Sequence, residues 1–118
     1  MDLRLRRAYE APGPKDGYRV LVDRVWPRGV SRDAIQIDLW LKQVAPSTEL
    51  RKWFGHDVAN WSGFKSRYRR ELKAVDAELK VLREKMQQGP VTLVYGAKDE
   101  THNQAVVLRD YLLQDTSK

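Results

Sequence analysis

The chain contains no cysteine among its 118 residues. That excludes disulfides, thiolate catalysis and every cysteine-bearing metal site, and it fits a reducing compartment. No apolar stretch is long enough to cross a bilayer, and Met1 is followed by DLRLRR rather than by an apolar signal core. Neither export nor a membrane span is expected, and the expected location is cytoplasmic. Only two histidines occur, His56 and His102, with no HxxxH and no clustered carboxylates, so no metal site is expected. No G-x-G-x-x-G follows a strand candidate and no G-x-x-x-x-G-K-[ST] is present, which weakens any dehydrogenase, methyltransferase or P-loop reading. Internal repeats and low-complexity segments are also missing, and the sequence names no cofactor.

What is present is a globular composition: 42% hydrophobic, 32% charged, with 4 tryptophans. A chain of this length reads as one domain, residues 1–118, able to bury roughly two thirds of its unfolded surface. The net charge of +6 and a pI near 9.7 favour anionic partners, either a small anionic ligand or nucleic acid. Oligomeric state leaves no signal in the sequence.

Residues 19–29 read RVLVDRVWPRG. Val20, Leu21 and Val22 suit a strand covered on both faces, because they are aliphatic without alternation. Asp23, Arg24, Trp26 and Arg28 crowd the loop at its carboxyl end, where open α/β sheets hold their ligands. Upstream, Leu3 and Leu5 alternate with Arg4 and Arg6 as in an outer strand. The segment EAPGPKDG that follows is a surface connection, either a hairpin or a compact crossover. Ser31 with Asp33 suits the start of a helical turn. Residues 35–41 alternate like a strand at Ile35, Ile37, Leu39 and Leu41, and they fit a helix as well.

Pro46-Ser47 starts a short helix with Ser47 as its cap and Gly55 at its end. Asp57 then opens a long amphipathic helix with apolar residues at Trp61, Phe64, Tyr68, Leu72, Val75, Leu79, Leu82 and Met86, stopped by Gly89-Pro90. About 30 residues would make a rod of roughly 45 Å, so a bend or break is expected. VTLVY at 91–95 is a second buried strand. Thr101 with Gln104 reads as a capping box for a last helix striped by Ala105, Leu108 and Leu112, with Asp115 to Lys118 as a frayed tail. The predicted class is α/β, a small mostly parallel sheet flanked by helices in three-layer-like fashion.

VDRVWPRGVSR, LWLKQVAPSTELRKWFGHD and LVYGAKDETHNQAVVLRDYL together resemble the YeaO-like family of small bacterial proteins, a branch of a larger group known only as a domain of unknown function. The resemblance covers nearly the whole chain and implies an α/β fold without an established activity. The wider group is similar in an Asp-x-Arg-type loop after one strand and in a Cys-His-Arg motif opening the final helix. Here that second motif reads Thr101-His102-Asn103, so any thiol chemistry of relatives does not carry over.

If the two buried strands are parallel, as the resemblance and the intervening helix imply, the loops after them open on one edge. One crevice would then hold Asp23, Arg24, Trp26, Arg28, Tyr95, Lys98, Asp99, His102 and Asn103. Free N–H groups at the start of the last helix, with Arg28 and Lys98, would make an anion site, and Trp26 would stack a planar group. The plainer reading has Arg24 or Arg28 paired with Asp23 or Asp99, Trp26 in the core, and Asn103 as a cap. His102 is the acid-base candidate, and Asp23 beside arginines would stay ionised and orient it. His56, in the turn between two helices, reads as a connecting residue.

A second class of function rests on the basic cluster Lys65, Arg67, Arg69, Arg70 and Lys73, which would contact a phosphate backbone in a helix-turn-helix-like arrangement. Against it, pairs such as Arg67 with Glu71 and Asp76 with Lys80 would make the cluster a solvated face.

Overall fold

The computed structural model describes residues 2–116. Four strands form one sheet, β1 (Leu3–Arg7), β2 (Tyr18–Leu21), β3 (Leu39–Trp40) and β4 (Val91–Tyr95), in the order β1-β4-β2-β3. Every pairing is parallel, with Leu3 opposite Val91, Tyr18 opposite Val91 and Val20 opposite Leu39. The first strand is therefore an outer strand, as its alternation predicts. Its link to β2 is the crossover and not the hairpin, since β4 stands between them. Gly17 is needed at the end of that crossover: φ is +67°, and a Cβ there would lie 2.2 Å from the Pro90 carbonyl oxygen. Asp16 pins the same loop, accepting from Gly13 N–H at 3.0 Å and pairing with Arg6 at 3.1 Å and with buried Arg19.

The ambiguous segment at 35–41 divides between its two readings. Arg32–Ile35 forms one helical turn, α1, with Ser31 Oγ accepting from Ala34 N–H at 3.1 Å, and left-handed Gln36 ends it. Leu39–Trp40 then adds β3 to the sheet.

Helix α2 (Thr48–Phe54) begins and ends as predicted, with Ser47 Oγ accepting from Leu50 N–H at 3.2 Å and Gly55 in the left-handed region at φ +55°. The long amphipathic stretch is broken, also as expected. A 3-10 turn at Val58–Asn60, capped by Asp57, leads into α3 (Trp61–Lys73), and α4 (Asp76–Gln88) follows after Ala74 and Val75. A straight rod of about 45 Å would overrun a molecule of 38 × 35 × 21 Å, so the chain turns while its apolar stripe carries on through the break. Phe64, Tyr68, Leu72, Leu79, Leu82 and Met86 are all buried.

The core is lopsided. Val20, Val22, Leu93 and Tyr95 face a large cluster built with α2, α3, α4 and α5 (Gln104–Thr116). Leu21 and Val94 face a smaller cluster with Ala8 and Ile35, packed against Trp26 and Trp40. All the long helices thus lie on one face, and the opposite face is closed by α1 and the loop after β2. β4 is buried at all five positions, as a central parallel strand should be.

Two local expectations fail. The Thr101–Gln104 capping box does not form: Asn103 Oδ1 accepts from Val106 N–H at 3.1 Å, while Thr101 N–H and hydroxyl both donate to Asp99 Oδ1 at 2.9 Å. Asparagine one position before α5 is simply the nearer cap. Glu71 does not pair with Arg67 either, because it is drawn to Ser47, accepting from its N–H at 2.8 Å and its hydroxyl at 2.6 Å. Asp76 meets Arg83 at 3.3 Å. Of the expected frayed tail, residues 115 and 116 complete α5 and residues 117–118 lie outside the described residues. No helix among the described residues is long and apolar enough to cross a membrane.

Candidate functional site: a crevice at the carboxyl edge of the sheet

Parallel pairing of β2 with β4 brings the loops after both strands to one edge, and a crevice of about 510 Å³ opens there. Asp23, Arg24, Trp26, Arg28, His102 and Asn103 line it, so six of the nine residues expected in one crevice share one hollow. Tyr95 is buried in the core, and Lys98 and Asp99 are not among the lining residues. Sequence reasoning missed Arg51 and Lys52, on α2, together with Tyr9 and Gln104, and it took His56 for a connecting residue; all five line the crevice. Nothing in the pattern of α2 tells which way its polar face points. That follows only from how the helix sits over the end of β2.

Asp23 ties the two loops together. Its Oδ2 accepts from Gly96 N–H at 2.8 Å, and its Oδ1 accepts from the Gln104 amide. Burial raises its carboxyl to about 6, against the lowering effects of the Gly96 N–H, nearby Arg51 and Gln104. No cation among the described residues forms an ion pair with it, although the next residue is an arginine. Arg24 is turned away: Nε donates to the Pro46 carbonyl at 3.1 Å and Nη2 to that of Ala45 at 3.0 Å. The arginine thereby clamps the approach to α2. Trp26 likewise ties the loop to itself, donating Nε1–H to the Val30 carbonyl at 2.7 Å and meeting Trp40 edge-on at 5.4 Å.

The start of α5 differs from the anion cradle expected of it. Thr101 and His102 N–H groups donate to Asp99 Oδ1 at 2.9 and 3.0 Å, and Asn103 caps Val106. These donors, foremost the Thr101 N–H, hold the Asp99 carboxyl well below the usual carboxylate range. Asp99 thus takes the N–H groups just ahead of α5, and Asn103 takes that of Val106 within it. Positive charge in the crevice comes instead from Arg28, Arg51 and Lys52, whose side chains make no hydrogen bond or ion pair among the described residues and, for all three, are exposed.

His102 does not pair with Asp23. Its Nδ1 lies 2.9 Å from Asp99 Oδ2 and its ring stands edge-on to Trp61 at 5.2 Å. A carboxylate on Nδ1 directs the neutral ring's proton there and leaves Nε2 as the free lone pair. Among the described residues no group of three or more His, Asp or Glu could hold a metal ion.

These features define an α/β protein with a crevice of mixed polar and apolar lining at the carboxyl edge of a four-stranded parallel sheet. The chain belongs to the family described as the inactive DUF488-N3 subclade, whose profile matches residues 2–118. It is 42% identical over 112 residues to the uncharacterized protein YeaO of Escherichia coli, covering 95% of this chain and 97% of that protein. Uncharacterized proteins of Mycobacterium bovis and Mycobacterium tuberculosis are 41% identical over 110 residues, covering 93% of this chain and 92% of each. No solved structure matches.

Proposed function

We propose that the protein binds a small anionic ligand, phosphate- or nucleotide-like, in the crevice at the carboxyl edge of its sheet. The observation that carries this reading is the grouping of Arg28, Arg51 and Lys52, three cations whose side chains have no hydrogen-bond or ion-pair partner among the described residues, around one hollow. Cations left unpaired beside low-dielectric walls concentrate positive potential and attract anions. The hollow is also of a size that suits a metabolite. Binding without turnover is favoured over catalysis, because the subclade is described as inactive and position 101 is threonine where the wider group resembles a Cys-His-Arg opening. Candidate roles follow the geometry. Arg28, Arg51 and Lys52 meet the anion, Trp26 presents a ring, and His102 offers Nε2. Asn103 and Arg24 hold backbone in place.

Titration with inorganic phosphate and with nucleoside monophosphates, followed by tryptophan fluorescence and calorimetry, tests this reading. Arg28→Ala and Arg51→Ala should each weaken binding roughly tenfold while leaving the melting temperature in place. Binding equal to the wild type in both variants would remove it.

The alternative, nucleic-acid binding by α3, gains one observation: Glu71 is engaged by Ser47 and so does not neutralise Arg67. Arg67 rests over the Trp53 ring at 4.1 Å and Lys65 over Trp61 at 5.7 Å. Lys73 is exposed and Arg69 half-buried on the same helix. This reading requires retention on duplex or single strands at low salt that falls steeply with added salt.

A further inference from the structure

The crevice is lined by groups of opposite chemistry. Asp23 holds two hydrogen bonds, from Gly96 N–H and the Gln104 amide. A carboxylate offers about four acceptor sites, so it retains capacity toward the hollow that it lines. The neighbouring guanidinium that would ordinarily pair with it is committed to the Ala45 and Pro46 carbonyls. Arg28, Arg51 and Lys52 line the same hollow and pair with no carboxylate among the described residues. Arg51 is near enough to act on Asp23 electrostatically, yet forms no ion pair with it. The same lining includes the apolar surfaces of Trp26, Pro27, Phe54 and Phe64. Folded proteins normally satisfy a sheltered carboxylate within the structure, and here acceptor and cations are both left open on one cavity.

On the reading that this crevice takes an anion, we infer that its ligand is a nucleoside monophosphate whose base carries an amino group, with the amino N–H donating to Asp23 and the phosphate held by Arg28, Arg51 and Lys52. The apolar walls suit the faces of a planar base, and a carboxylate accepting from an exocyclic amine is an established pairing for cytosine. A base presenting a carbonyl at the same position would set its oxygen against the carboxylate oxygens. Asp23 is thus the residue that selects the base, and the cations retain the phosphate whatever the base. The burial that raises the Asp23 carboxyl fits a group stabilised by a donor arriving with the ligand.

CMP and UMP differ in the group at this edge, so calorimetric titration of the intact protein with both, and with inorganic phosphate and phosphoethanolamine, tests the inference without any variant. The expected result is CMP binding at least tenfold tighter than UMP, with phosphate and phosphoethanolamine weaker than either. In Asp23→Asn the CMP to UMP ratio should fall to about one or invert, since the amide can donate to a carbonyl. Arg51→Ala should weaken CMP and UMP alike. Equal binding of CMP and UMP by the wild type overturns the selection of an amino base and leaves the anion site standing. Phosphoethanolamine matching CMP overturns the planar base in favour of a simple ammonium. Absence of binding by all four probes at millimolar concentration overturns this inference and the anion reading together.

Discussion

Gly96 donates its N–H to Asp23 Oδ2 at 2.8 Å, across 73 positions of sequence. This bond joins the loops after β2 and β4, the two strands at the middle of the sheet. It is one of several ties that radiate from residues 23–28: Trp40 Nε1–H donates to the Asp23 carbonyl at 2.7 Å, and the Tyr9 hydroxyl donates to the Arg28 carbonyl at 3.1 Å. With the Arg24 clamp, the loop is tied to the segments after β1 and β4, to β3, to the start of α5 and to the turn before α2. Such ties preorganise the walls, which lowers the ordering cost of binding.

A Cβ at position 96 would lie 2.8 Å from Asp23 Oδ2, closer than carbon and oxygen can approach. Gly96→Ala should therefore destabilise the fold by about 1–3 kcal/mol, typical of overpacking. Urea denaturation measures it. In Asp23→Ala the obstructing oxygen is gone, and adding Gly96→Ala should then cost much less, a coupling that two independent sites would not show.

Asp23 also makes stability depend on pH. Its carboxyl is raised to about 6 in the folded protein, above its ordinary value near 4. The folded state therefore binds this proton more tightly than the unfolded chain. The associated stability is fully present below about pH 4 and is lost as pH climbs through 6. Between pH 4.5 and 7.5 the wild type should lose roughly 2 kcal/mol relative to Asp23→Asn, which cannot ionise. Denaturation midpoints of the two proteins across that range should converge or cross. Parallel curves would mean that the carboxyl titrates normally.

The crevice was legible because strands declare themselves: Val20 to Val22 and Val91 to Tyr95 are dense in aliphatic residues, and a helix between them implies parallel pairing. That, together with the family resemblance, put Asp23 and His102 on one rim. The same reasoning could not say where each polar group spends its hydrogen bonds. Asp99 captures the Thr101 and His102 N–H groups just ahead of α5, and Asn103 rather than Thr101 caps the helix, because several residues near a helix start compete for the same donors. Arg51 and Lys52 were invisible as site residues, since a seven-residue helix with a good cap reads alike whichever way it faces. The break at Ala74 and Val75 was predicted from size alone and bears no proline or glycine mark.

Ser47 ties α2 to α3, accepting from Leu50 N–H while donating its hydroxyl to Glu71 Oε2. Ser47→Ala removes both bonds and should cost about 1–2 kcal/mol, at the upper range for a helix cap. Ser47→Asp restores the cap yet places a second carboxylate against Glu71, so it should rescue little. A variant as stable as the wild type by thermal melt would show that the Glu71 link contributes nothing.

Arg24 separates charge from geometry. It lines the crevice, but its Nε and Nη2 are committed to two consecutive carbonyls, of Pro46 and Ala45. A guanidinium spans both through its planar fork, whereas an ammonium is a point donor that reaches one at a time. Arg24→Lys keeps the positive charge and should nonetheless destabilise the protein by about 1–3 kcal/mol, the cost of leaving a sheltered carbonyl unsatisfied. Its affinity for a monophosphate, measured well below the melting temperature, should change less than that of Arg51→Ala. If instead Arg24→Lys melted like the wild type and lost ligand, the arginine would belong to the ligand and the turn before α2 would be held by something else.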